Sequence, residues 1–400
     1  MHTTFKKALQ LTGILLLLWF IYTVSMLLVY TIPDSLISEN VQQALAILNE
    51  EGNMPGGYSN YFLHSANSIT DNLTDKEIYK GLLTGDKTIV DSAMRVDYSR
   101  YWHGYAVILR PFMIIFSIVN IRFLNMIAIM SLFVICTWQC KERFGKMITL
   151  SFSLALLMGF FIISPFCQQY VPVTLLTLLT SSVVMQKRAW NHLPSIFLVS
   201  GSLVCFFDFL TFPVLALGYP LICALLIAYV NGEKTTKLWQ MTIGLSALFM
   251  LGYGLTWLAK GIIGGLLTDV DVIGDILNQA TLRSTGDFTG NTSVEISALS
   301  AIKINLETFF TLMNLACFGL MLIVAIIMAF RSKSEKEPWI KSLPIIIVAL
   351  WPFIWYAVLQ NHTRMHFWMT YKQLSVTVFA IISGLLIVGK RNSVPEQIKQ

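Results

Sequence analysis

From Ala8 to Pro33 no residue carries a charge, and Lys6 and Lys7 stand immediately before that run. Such a stretch exceeds the roughly 20 apolar residues that a helix needs to cross the hydrocarbon core of a bilayer. It also exceeds the roughly 7 to 15 residues of a secretion-signal h-region, and no A-x-A site follows it. The reading is an uncleaved first span with the N-terminus in the cytoplasm. Further apolar runs lie near 122–140, 147–164, 170–186, 194–210, 213–230, 238–259, 304–330, 343–360 and 367–389. The expected fold is therefore all-α: a polytopic transmembrane helical bundle of about ten spans, both termini cytoplasmic, with short helices in a large first extracytoplasmic loop.

Composition agrees: 55% of residues are hydrophobic, only 12% are charged, and mean hydropathy is +0.66. Soluble proteins carry about 25% charged residues, so a soluble enzyme, a disordered scaffold and a disulfide module are excluded. The six cysteines lie in or beside apolar runs without CxxC spacing, and read as small buried side chains. The net charge of +6 is a matter of distribution. Sixteen Lys/Arg against five acids fall at the ends and in alternate connections, among them Lys141, Arg143 and Lys146, Lys187 and Arg188, and Lys234 and Lys237. A single alternating assignment makes them all cytoplasmic, the positive-inside pattern. Nucleic acid drops out as a partner, and the bilayer replaces it. A cysteine-free outer loop fits a bacterial plasma membrane.

This topology divides the chain into a first span (1–33), an outer piece (34–121), spans two to seven (122–259), a second outer piece (260–303), spans eight to ten (304–389) and a tail (390–400). Within the first outer piece, 104–121 is apolar enough to tempt an extra span. Counting it would invert every later loop, and Arg110 followed by Pro111 argues against a lipid-facing helix. The reading is an amphipathic or re-entrant helix.

Chemistry is expected on the outer face, because the cytoplasmic connections are short. Asp71 and Asp75 are four apart, which on a helix is one face. They read either as part of a capped surface helix, with Thr74 or Asp75 capping EIYKGLL, or as a carboxylate pair acting as general base or cation ligands. The cluster from Asp97 to Tyr105, with Arg100, Tyr101, Trp102 and His103, suits an interfacial aromatic belt. It equally suits a sugar or phosphate site, with rings stacking on sugar and Arg100 forking onto phosphate. Arg110 among apolar neighbours needs a partner, and a lipid phosphate is a natural one. In the second outer piece, Arg283 falls on a short amphipathic helix, before a Ser/Thr/Gly-rich loop that either lies over an outer cavity or links spans. Asp208, an acid in apolar sequence, reads as facing a cavity or a partner. His362 and His366 share a helical face with Arg364 nearby. The alternatives are a zinc half-site, which lacks the Glu of HExxH and a third ligand, and a cation-lined pocket for an anionic group. No P-loop, GxSxG or Rossmann fingerprint occurs.

The segment NIRFLNMIAIMSLFVICTWQCKERFGKMITLSFSLALLMGFFIISPFCQQYVPVTLLTLLTSSVVMQKR resembles the second-to-fourth-span region of polytopic glycosyltransferases of the GT-C type. Asn361-His362-Thr363 with Arg364 and Tyr371 is similar to the "NHS...YR" segment late in some of them. The resemblance implies a helical-bundle enzyme that moves a sugar from a polyprenyl-phosphate carrier to an outer-face acceptor, with an acidic residue of the first outer loop as base or metal ligand. Here that neighbourhood offers Asp34 and Glu39 without the paired "DE" or "DD" of many members, which leaves the base open between Asp34 and the Asp71/Asp75 pair. The resemblance makes Arg100, Arg110, Arg283 and Arg364 candidates for the donor phosphate, and Tyr101, Trp102 and Tyr105 for stacking on sugar. It implies no organic cofactor, and a divalent cation stays open. The oligosaccharyltransferase "WWDxG" signature is absent. Two rivals remain from the residues alone: a transporter or lipid-linked glycan flippase, and a non-catalytic assembly subunit.

Overall fold

A computed structural model describes residues 2–60, 62–284, 297–331 and 336–389. The Ser/Thr/Gly-rich stretch 285–296 and the tail 390–400 lie outside the described residues. Among the described residues all regular structure is helical and no strand is present. Seven helical segments are long and apolar enough to cross a membrane: Lys6–Val29, Ile118–Phe144, Lys187–Phe207, Thr235–Leu267, Leu312–Arg331, Glu337–Val358 and Phe367–Val388. Three shorter apolar helices, Lys146–Met158, Val171–Val184 and Val214–Val230, coincide with the other expected runs.

Helix α1 (His2–Val29) leads into the piece expected on the outer face, and this outer layer comprises α2 (Ser38–Glu51), α3 (Asn72–Lys80), α4 (Ile89–Met94) and α5 (Ala106–Phe112). The apolar stretch 104–121 is cut in two. Helix α5 stops at Phe112, and Ser117 opens α6 (Ile118–Phe144) with a reciprocal cap to Asn120. The span expected from 122 thus begins four residues earlier, and its N-cap is a Ser/Asn box. Gly145 at φ 80° ends α6 and starts α7 (Lys146–Met158).

The bundle continues through α8 (Val171–Val184), α9 (Leu193–Phe207), α10 (Val214–Val230) and α11 (Thr235–Leu267). Two further helices follow, α12 (Val272–Ser284) and α13 (Ala298–Phe309), then α14 (Leu312–Arg331), α15 (Lys336–Ile346) and α16 (Trp351–Val358). The short α17 (Gln360–Met365) and α18 (Phe367–Thr370) lead into α19 (Leu374–Val388). The run expected as one span from 304 to 330 is two helices, because the chain leaves helical geometry at Phe310, φ −86° and ψ 59°. Residues 298–309 pack against α16 to α18 instead.

One apolar core joins the later helices, and a second joins α1 and the outer layer to the end of α9. Helices α9 and α11 touch backbone to backbone. Gly201 lies on the Phe249 carbonyl and Gly252 on the Leu198 carbonyl, so a Cβ at either position would collide with main chain. Small residues of this kind are how membrane helices approach closely. A hydroxyl chain seals the contact to α1: Tyr22 OH lies 3.1 Å from Ser202 Oγ, which is 2.8 Å from Thr256 Oγ1, and Trp19 Nε1 donates to the same Thr256 at 3.0 Å.

Candidate functional site

Arg283, in the last turn of α12, lines two cavities at once. The first, about 350 Å³, is polar and is bounded by Asp71, Glu77, Arg95, His103, Tyr105 and Gln169, with His362 and His366 across from them. The second, about 470 Å³, is an apolar groove between α10, α11 and α16, lined by Leu217, Met250, Gly254, Trp351 and Trp355, with Arg100 and Tyr101 beside Arg283.

Asp71 is the N-cap of α3, where Asp is among the strongest caps. Thr74 donates to it twice, from its amide to Oδ1 and from its hydroxyl to Oδ2, both at 3.0 Å. The cap is therefore Asp71, not Thr74 or Asp75. Only 4% of the residue is exposed, and burial pushes its pKa above the usual carboxylate range against the Thr74 hydrogen bonds. A carboxylate raised in this way is a better proton acceptor.

The three histidines of the polar cavity are neutral. A guanidinium has only donors, so Arg283 Nη1 donates to His362 Nδ1 at 2.7 Å. His362 must then carry its proton on Nε2, which donates to the Leu210 carbonyl at 2.8 Å. His103 Nε2 donates to the Tyr98 carbonyl at 2.8 Å, which leaves Nδ1 to accept the Tyr105 hydroxyl at 3.0 Å. Burial, reinforced by nearby cations, pushes His103 and His362 well below the ordinary histidine pKa and His366 to about 4.

Both cavities present buried polar atoms with no partner among the described residues: His366 Nδ1 and Gln169 Oε1 in the first, and Arg100 Nε, Ser246 Oγ, Trp351 Nε1 and Trp355 Nε1 in the second. Each buried unsatisfied group costs about 1–3 kcal/mol, so both cavities hold polar atoms that a bound group could satisfy, the second only at isolated points of an apolar wall. Among the described residues no group of three His, Cys, Asp or Glu is placed to hold a metal ion.

Several residues singled out in the sequence have other work. Arg110 is fully buried and does not reach a lipid phosphate. It donates to the carbonyls of Val29, Leu82 and Ile32 and to Asp34 Oδ1 at 3.2 Å, and its guanidinium lies over the Tyr30 ring. Asp34 spends its other oxygen on the amides of Thr84 and Gly85, at 2.8 and 3.0 Å. Asp75 turns away from Asp71 and accepts the amides of Gln168 and Gln169, at 2.8 and 3.0 Å, pinning the turn before α8. Trp102 is core: its Nε1 donates to the Thr256 carbonyl at 2.8 Å, and the ring packs on Tyr22 and Phe206. Asp208 holds the turn after α9 through the amide and hydroxyl of Thr211. That turn contains Leu210, at φ 68°, whose carbonyl orients His362. Glu39 is exposed in the first turn of α2, Arg364 is half-buried, and neither lines either cavity.

Reading the sequence missed Arg95, Gln169, Trp351 and Trp355. The polar pair Gln168-Gln169 inside an apolar run, and two tryptophans four apart, were signals for the last three. Searches against models of known protein families, curated proteins and solved structures find no match.

Proposed function

We propose that this protein is a membrane glycosyltransferase that moves a sugar from a polyprenyl-phosphate donor to a cell-envelope acceptor at the outer face of a bacterial plasma membrane. The observation that carries the reading is the position of Arg283 at the junction of an apolar groove and a polar cavity containing a raised carboxylate. A lipid-linked sugar phosphate has those three parts in that order: an apolar tail, a phosphate and a polar head. The tail occupies the groove between α10, α11 and α16. Arg283 and Arg100 take the phosphate, and the sugar enters the polar cavity beside Tyr105. Asp71 removes the proton of the acceptor hydroxyl, the new oxygen attacks the anomeric carbon, and the carbon–oxygen bond to phosphate breaks. The carrier leaves as polyprenyl phosphate, its added negative charge met by the arginines, which is where preorganised charge contributes most.

The topology belonging to this proposal has ten crossings, the three shorter apolar helices included, with both termini cytoplasmic and the pieces 34–121 and 260–303 outside. The test is transfer in nanodiscs from labelled polyprenyl-phosphate sugars by the full chain. Product that disappears on Asp71→Asn supports it. Absence of product with every donor, together with unchanged envelope glycans on deletion, sinks it.

A transporter or flippase is the second reading, favoured by one observation. Lys260 and Lys372 are buried in candidate spans and rest on the carbonyls of Met94 and Gly159, without an ion-pair partner among the described residues. Ionisable residues within spans commonly mark transport pathways. Substrate movement in proteoliposomes that is lost on Lys372→Met and retained on Asp71→Asn would favour it over transfer.

A further inference from the structure

Helix α6 carries charge chemistry at both ends. Near its start, Arg122 forks onto Glu51 of the outer layer, at 2.5 and 2.8 Å. Arg143 lies 21 residues later, about 32 Å along the axis at 1.5 Å per residue, which matches the roughly 30 Å thickness of a hydrocarbon core. The two arginines therefore bracket a bilayer, and Arg143 sits at the headgroup level opposite the two cavities.

There a pocket of about 440 Å³ opens between the last turns of α6 and the chain leaving α8. Arg143, Lys187 and Arg188 line it against one acid, the exposed Glu142. None of the three cations has an ion-pair partner among the described residues. Trp138, four residues before Glu142 on the same face, is 61% exposed at the rim, as an indole at a membrane interface is. Gln139, one turn before Arg143, presents a buried Oε1 that accepts nothing from the described residues.

We propose that this pocket binds the headgroup of an anionic, glycerol-bearing phospholipid from the leaflet facing the basic helix ends. Basic pockets between membrane helices on that side hold anionic headgroups, and the guanidinium of Arg143 pairs with a phosphate by two parallel hydrogen bonds. The lone acceptor makes the assignment narrower. A phosphodiester has no proton to donate and choline has no hydroxyl, whereas the glycerol of phosphatidylglycerol donates to Gln139 Oε1 while its phosphate meets the cations. The inference does not depend on the catalytic reading, since the pocket lies at the other end of the bundle.

The experiment is native mass spectrometry of the full chain, released from nanodiscs of equal phosphatidylglycerol and phosphatidylcholine, with free glycerol 1-phosphate as a third probe. The expected result is retention of phosphatidylglycerol over phosphatidylcholine by about tenfold. That preference falls to parity in the Arg143→Gln/Lys187→Gln/Arg188→Gln protein, whose melting midpoint in pure phosphatidylcholine equals that of wild type. Gln139→Leu lowers the preference while leaving the cations in place. Equal retention of both lipids by the wild type, undiminished preference in the triple variant, or free glycerol 1-phosphate displacing the lipid at equal concentration would overturn the proposal.

Discussion

Arg283 and His362, 79 residues apart, meet at 2.7 Å with the guanidinium donating to Nδ1. Because the imidazole is neutral, it orients the arginine without neutralising it, and the full positive charge remains for the two cavities. Arg283→Gln is expected to lower kcat/KM for transfer by about 10²–10³-fold, the usual effect of removing one transition-state donor. His362→Phe removes the orienting acceptor and keeps the charge, so its loss is smaller, near tenfold, and falls mainly on KM. Steady-state kinetics on the two variants check the order, and equal losses would contradict it.

Asp71→Asn separates cap from base. Asn caps a helix about as well as Asp, so the melting midpoint should move little, whereas the amide cannot take a proton and the rate should fall at least 10²-fold. Thermal unfolding and turnover measured on one preparation decide between a structural and a chemical role.

Gly254 lines the apolar groove, and a Cβ built there meets nothing within 4 Å. Gly254→Leu should fill groove volume and, being in the interior of a helix, stabilise α11 by about 0.8 kcal/mol through propensity alone. The expected outcome is a raised KM for long-chain donors, a smaller effect on short-chain ones, and an unchanged or higher melting midpoint.

Removing Arg110 takes one donor each from the carbonyls of Val29, Leu82 and Ile32 and from Asp34. Arg110→Met should cost about 3 kcal/mol or more. Asp34→Asn, in a residue still able to accept the Thr84 and Gly85 amides, should cost about 1 kcal/mol. A double-mutant cycle by chemical denaturation should show coupling between the two positions, and additive costs would refute the pairing.

Burial raises Asp75 to about 7, so the folded state keeps a proton that the unfolded chain releases near pH 4. The contribution of Asp75 is therefore full below the unfolded value and declines as pH rises from about 4 to 7. The stability of wild type relative to Asp75→Asn should be greatest at or below about pH 4 and fall steadily to about pH 7. Paired melting curves across that range test the sign. The histidines act oppositely, losing stability as pH falls below their ordinary value, and cancel in the difference.

The membrane-compatible helices were legible because each run is long, uncharged and bounded by charge, a signal carried in consecutive residues. Their interruptions were not. The turn between α5 and α6 rests on a short Ser117/Asn120 box inside an otherwise apolar run, and the break at Phe310 falls where no Gly or Pro marks it. The outer residues divide the same way. Asp71, His103, Tyr105, Arg283, His362 and His366 were singled out because polar groups in apolar or aromatic surroundings need partners, and they meet at one cavity. Asp34 and Arg110 were singled out for the same reason, but each is the other's partner across 76 residues. Trp102 likewise finds its acceptor 154 residues away. A single chain read locally shows the need for a partner but not whether the partner is internal.

The glycine contacts between α9 and α11 have a mechanical consequence. Where two backbones touch through Gly201 and Gly252, neither helix has side-chain slack to roll or slide against the other. The α1–α9–α11 unit behaves as a strut, and opening by one half rocking over the other would have to tear that seam. On the proposed reading a lipid-borne substrate needs no such motion, because the groove it would enter lies on the flank between α11 and α16.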